Sequence, residues 1–133
     1  MTNWRAVATL TFFYASVLAA QTAANWTQQN PQTSPPPRID HAMAYDSAHG
    51  QVVLFGGSGQ NGTLLNDTWV WDGSNWTRLF PQSSPPPRSN PAMAYDSAHS
   101  QVVLFGGLSF SAGSLTNTYL NDTWVWDGSN WTE

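Results

Sequence analysis

Asp40 and His41 stand side by side ahead of an apolar stretch, where the second copy of the same segment carries Asn90 and Pro91. A carboxylate beside an imidazole is the kernel of acid–base or metal chemistry. Adjacent residues of a strand point to opposite faces, however, and a zinc or copper site needs three or four convergent ligands. Every other candidate is duplicated. Asp46 and Asp96, Asp67 and Asp122, and Asp72 and Asp127 are equivalent pairs in turns or at strand ends, as are His49 and His99 in their turns. An Asp present in each copy of a turn serves the turn, by accepting hydrogen bonds from nearby backbone N–H groups. Arg38 and Arg88 each follow three prolines. Their repetition points to anchoring a crossing between repeats, through a carbonyl or carboxylate, rather than to substrate binding. Cysteine is absent, so there is no disulfide framework. These residues predict neither a catalytic site nor a metal nor a cofactor.

Composition narrows the partners. The chain has 133 residues, a net charge of −4 and four cationic side chains, all arginine. Nucleic acid is not an expected ligand, because phosphate neutralisation requires a basic patch. At the N-terminus one arginine precedes the fifteen-residue apolar run Ala6–Ala20 and the small residues of "QTAA". That order is the pattern of a secretory signal peptide over residues 1–24, which predicts a secreted or periplasmic protein. The run is shorter than the roughly 20 residues a membrane-spanning helix needs, so no span is expected after cleavage.

The elements that must position any site are repeated. Pro31–Gly57 and Pro81–Gly107 agree at 22 of 27 positions, and "NDTWVWDGSNWT" stands unchanged at Asn66–Thr77 and Asn121–Thr132. Trp26, Trp76 and Trp131 mark corresponding points, 50 and 55 residues apart. Each repeat divides into four short strands. In the first they are a (His41–Asp46), b (Gln51–Gly57), c (Asp67–Asp72) and d (Asn75–Phe80). Gly50 and the Asp72-Gly73 pair supply turn chemistry between them, while the Pro-rich "PQSSPPPR" cannot pair as a central strand. Strand b is apolar on both alternating sets. Strand c sets its tryptophans on one side, with Thr68 and Val70 on the other. A sheet apolar on both faces must be covered on both, and stacked copies of a four-stranded unit meet that need, as in the blades of a β-propeller.

The repeats resemble the kelch family. Gly56-Gly57 follows strand b, Trp71-Asp72 closes strand c and Trp76 opens strand d; Gly106-Gly107, Trp126-Asp127 and Trp131 repeat the set. The period fits kelch units of about 50 residues better than WD40 units of about 40–45. This predicts an all-β, incomplete propeller. A leading d-type strand at Asn25–Asn30 with its Pro-rich linker fills 25–37, the first blade 38–80 and the second 81–133. Because kelch propellers have several blades and the second repeat stops within its strand d, the chain is expected to be the N-terminal fragment of a longer propeller, the alternative being a two-blade protein that self-associates to close the ring. Galactose oxidase contains kelch repeats too, but its copper chemistry requires a cysteine that this chain lacks.

Function is sought in the differences. The a–b and c–d turns of an up-and-down blade lie at one end, the b–c loops and d–a crossings at the other. Among the repeat differences, Thr33 against Ser83, "IDH" against "SNP" and the unequal b–c loops are assigned to that second end; Gly50 against Ser100 is the exception. A standardised end opposite a diversified one is how a scaffold presents a binding surface. Ligand contacts are therefore expected from Ser58–Leu65, Leu108–Leu120, Asp40, His41 and Asn90, with Asn61, Phe110 and Tyr119 as the individual contact residues. The expected partner is a protein or a glycan. The alternative is part of a propeller enzyme, carbohydrate-active and of the galactose-oxidase kind, whose active site lies in other blades.

Overall fold

The computed structural model describes residues 25–110 and 117–133. The expected leader, residues 1–24, and positions 111–116 of the longer loop lie outside the described residues. Eight strands follow one another: β1 (Ala42–Asp46), β2 (Gln51–Phe55), β3 (Thr68–Trp71), β4 (Trp76–Leu79), β5 (Ala92–Asp96), β6 (Gln101–Ser109), β7 (Thr118–Trp126) and β8 (Trp131–Thr132). They build two antiparallel sheets, ordered β1-β2-β3-β4 and β5-β6-β7-β8. Each sheet is one repeat.

Both tight turns are drawn by their aspartates. Asp46 Oδ1 accepts from the N–H groups of Ala48 and His49, and Asp72 Oδ1 from those of Ser74 and Asn75. The same bonds recur at Asp96 and Asp127. The histidines belong to these turns: His49 Nδ1 lies 2.7 Å from Asp46 Oδ2, and His99 Nδ1 lies 2.6 Å from Asp96 Oδ2.

The register sorts side chains onto two faces. Opposed pairs put Phe55, Thr68, Val53 and Val70 on one face of the first sheet, and Val52, Leu54, Trp69 and Trp71 on the other. The core lies where the first kind of face meets the second kind on the next sheet. There Val53, Phe55 and Val70 pack against Val102, Leu104, Trp124, Trp126 and Trp131. Phe55 and Trp131 meet edge to face with centroids 5.3 Å apart, a favoured aromatic geometry. Buried Trp131 Nε1 donates to Thr68 Oγ1 across the joint at 2.9 Å. At one end of that joint the β7–β8 turn presses on His49, so closely that a Cβ added at Gly128 would run into the imidazole.

Four expectations change. Asn25–Asn30 forms no strand, and Trp26 is fully exposed. A d-type strand pairs with the edge of a strand c, and those edges on β3 and β7 are already taken by β4 and β8. The second b–c connection is less of a loop than expected, since Leu108 pairs with Tyr119 and Ser109 with Thr118. Its longer sequence extends the hairpin. Thr33 and Ser83 lie at the standardised end: Thr33 N–H donates to Asn75 Oδ1, and Ser83 N–H to Asn130 Oδ1. The crossing runs back along the blade before strand a begins, which brings those residues onto the c–d turns. Finally, β1 starts at Ala42, and Asp40 has φ of 57°, so Asp40 and His41 are not successive strand residues.

Candidate functional site

The loop end is held by two buried arginine clamps. Arg88 grips Asp122 with both terminal nitrogens, at 2.7 and 2.6 Å, while Nη1 also donates to the Gly106 carbonyl. Arg38 repeats this on Asp67 and the Gly56 carbonyl. Each clamp ties the Pro-rich crossing to the end of strand b and the start of strand c, which is the anchoring role expected of these residues. The tryptophan indoles complete it, Trp69 Nε1 donating to Asp67 and Trp124 Nε1 to Asp122. The Arg88 hydrogen bond holds the Asp122 carboxyl down at about 2. For Asp67, burial pushes the carboxyl up, but hydrogen bonds from Arg38 and Trp69 more than offset this and leave it lowered. A bidentate arginine–carboxylate pair of this kind fixes geometry as well as charge.

The diglycines let the crossing approach the loops. Gly57 has φ of 96°, and a Cβ there would meet the Ile39 carbonyl at 2.6 Å; Gly107 has φ of 107° and meets Ser89 in the same way at 2.8 Å. Ile39 and Ser58 exchange backbone hydrogen bonds through this gap, as do Ser89 and Leu108. Gly56 and Gly106 are equally tight, facing the carbonyls of Arg88 and Leu120. The crossing also seals the blades to each other. Gly57 N–H donates to Arg88 C=O, Arg88 N–H to Leu65 C=O and Asn90 N–H to Asp40 C=O.

The expected contact residues divide into two groups. Asp40 and Asn90 share left-handed backbone, with φ of 57° and 51°, and are joined by that last hydrogen bond beside exposed His41. Asn61 and Phe110 meet elsewhere, in a groove of about 460 Å³ completed by Gly62, Thr63, Leu64, Pro87 and Ser109. Asn61 is itself left-handed, at φ of 61° within the single turn Gln60–Gly62. Tyr119 is 83% exposed on β7 and does not line this groove. Sequence reasoning missed Pro87, because it recurs as Pro37 and so carries no sign of specialisation. The repeated motif residues take structural positions: Trp126 and Trp131 are buried in the joint, and Trp71 and Trp76 meet at a tilt of 45° with centroids 5.5 Å apart on the other face of the first sheet.

Among the described residues no group of three or more His, Asp or Glu side chains is placed to hold a metal ion, and no helix is long and apolar enough to cross a membrane. Six aspartates are committed to turns or clamps. The groove presents backbone, amide, hydroxyl and aromatic groups, and exposed Asp40 and His41 add a carboxylate and an imidazole apart from it.

A search of curated proteins finds no match to the chain. The family model described as the KLHDC2/KLHL20/DRC7 Kelch-repeats domain matches residues 11–133. Two four-stranded sheets, a glycine pair closing each second strand and a match over most of the length agree, and the chain belongs to the kelch-repeat family of propeller-type protein-interaction scaffolds.

Proposed function

We propose that this chain is an exported, non-catalytic kelch scaffold that binds a protein partner at its b–c loop end. The observation that carries this reading is the groove between Asn61–Leu64 and Ser109–Phe110. It spans both blades, it is lined, Pro87 apart, by segments in which the repeats differ, and Leu64, Pro87 and Phe110 set apolar surface among hydroxyl and amide groups. An apolar floor with a few placed polar groups is the usual make-up of a recognition site. Arg88 directly follows Pro87, and its two-pronged grip on Asp122 ties that side of the groove to the blade. Export rests on the charge, apolar run and small residues of the first 24 positions.

The test is a displayed peptide library and a glycan array probed with the purified chain. Peptides are expected to be enriched, and Phe110→Ala and Asn61→Ala should weaken their capture while leaving the circular dichroism spectrum unchanged. Selective capture of glycans instead would favour the carbohydrate reading, for which exposed Phe110 and Tyr119 are the sugar-stacking candidates. The clamp arginines serve as controls, because their loss should damage folding rather than binding alone.

A further inference from the structure

Asn61 and Gly62 form the sole Asn-Gly pair of the chain; every other asparagine precedes tryptophan, proline, aspartate or threonine. The pairing matters because a backbone nitrogen with no side chain beside it is free to close on the preceding carboxamide. Around this pair the structure removes the usual obstacles. Both residues are exposed, and a Cβ added at Gly62 would touch nothing. The turn is held by long bonds, Gly62 N–H to the Gly59 carbonyl at 3.3 Å and Thr63 N–H to the Gln60 carbonyl at 3.5 Å, beyond the roughly 2.9–3.0 Å of an ordinary N–H···O bond. An exposed turn tied so loosely opens locally at little cost, and opening frees the Gly62 nitrogen. Asn75 and Asn130 are in the opposite position, their carboxamides fixed by the N–H groups of Thr33 and Ser83. Two Asp-Gly pairs, Asp72-Gly73 and Asp127-Gly128, share the spacing. Hydrogen bonds from Asn75 and Ser74, and from Asn130 and Ser129, hold their carboxyls lowered and ionised, and a carboxylate resists attack by a nucleophile.

We propose that Asn61 is a self-modifying site, converted by its own neighbour and water into aspartate and isoaspartate. The Gly62 nitrogen gives up its proton and bonds to Asn61 Cγ; the Cγ–Nδ2 bond breaks, and the amide group leaves as ammonia. Water then opens the ring at either of its two carbonyls. Opening at Cγ breaks the new bond and leaves aspartate. Opening at the main-chain carbonyl breaks the original peptide bond, so that the backbone runs through Cγ and is one carbon longer. No other reactant is consumed. Either product sets a carboxylate in a groove whose lining is otherwise uncharged, and the longer backbone redraws the Gln60–Gly62 turn that forms one wall. Any effect on partner recognition rests on the reading of that groove as the binding site, whereas the modification itself rests on the turn.

Peptide mapping tests this without any partner, so its outcome is separate from that of the binding experiments. Trypsin cleaves after Arg38 and Arg78, releasing residues 39–78 with Asn66 and Asn75 as internal references for Asn61. The folded full-length chain is incubated in neutral and alkaline buffer, and this peptide is followed by mass spectrometry. Two separable forms, each heavier by about one dalton, should appear with the change placed at Asn61 by fragmentation. A protein isoaspartyl methyltransferase should label one of them. Conversion should quicken as pH rises, because the attacking nitrogen must lose its proton. Gly62→Ala, checked for folding by circular dichroism, should slow conversion several-fold by crowding that nitrogen. Asn61→Gln, which would have to close a larger ring, should slow it as well and leaves the Gly62 backbone unchanged. An Asn61 that persists in the folded chain while a free peptide of residues 58–65 converts overturns the proposal. Conversion no faster than that of Asn66 or Asn75, or undiminished in Asn61→Gln, overturns it too.

Discussion

Arg88 does its work by having no alternative partner. Its side chain is fully buried, and its charge is balanced by Asp122, while the Gly106 and Pro86 carbonyls accept from Nη1 and Nε. Removing one member of a buried ion pair leaves the other uncompensated, at a cost of about 3–5 kcal/mol. Arg88→Ala should therefore lower stability by that amount in urea unfolding. Arg88→Lys should recover only part of it, since an ammonium cannot form the two-pronged contact. The same pair sets an acid limit. A carboxyl whose folded pKa lies below its unfolded value stabilises the fold above the unfolded value and loses that contribution as pH falls through the folded one. For Asp122 the window runs from 3.8 down to about 2. Urea midpoints of the wild type should fall across that window, and those of Asp122→Asn should fall less steeply.

Within the elements, glycines of similar backbone differ in what surrounds them. Gly50 has φ of 66° with open space around it, and Ser100 holds φ of 56° at the equivalent place in the second blade. Gly57 combines positive φ with the Ile39 carbonyl and His41 at contact distance. Gly50→Ser should stay within about 0.5 kcal/mol of wild type, the range of ordinary surface substitutions. Gly57→Ala should cost about 1–3 kcal/mol from backbone strain before the crossing is displaced, and thermal unfolding of the two variants would show the contrast. The strands and turns were legible because their signals are local: alternation, β-branched residues, and Asp or Gly at turns. The lengths of β6 and β7 were not. Polar loop residues such as Ser109 and Thr118 pair there because the adjoining strands already hold them in register, and pairing of that sort leaves little trace in residue type.

Across the whole molecule, identical residues have different worth. Phe55 and Phe105 occupy the same place in successive blades, yet one lies under Trp131 and the other is half exposed. Phe55→Ala should cost about 3–5 kcal/mol, as for a buried aromatic, and Phe105→Ala below about 1 kcal/mol when dilute chain is unfolded in urea. The candidate site was only partly readable beforehand. Asn61 and Phe110 fall together in one groove, but Asp40, His41 and Asn90 form a separate place at the start of the inner strands, where Asp40 and Asn90 join the blades through their backbone. Tyr119 stays outside both. Loop differences identify which residues vary, whereas their convergence depends on the rotation between blades.

By itself the sequence determined the repeat, the four strands of each blade, the turn aspartates, the anchoring arginines and the kelch family, because each follows from short-range pattern or from duplication. Only the tertiary structure decided which of two equal faces is buried, where the crossing runs, and which loop residues meet. Those outcomes depend on contacts between residues far apart in the chain. Trp131 on Thr68 and Asn130 on Ser83 are such contacts, and two nearly identical repeats cannot announce in advance which copy will supply which half of a joint.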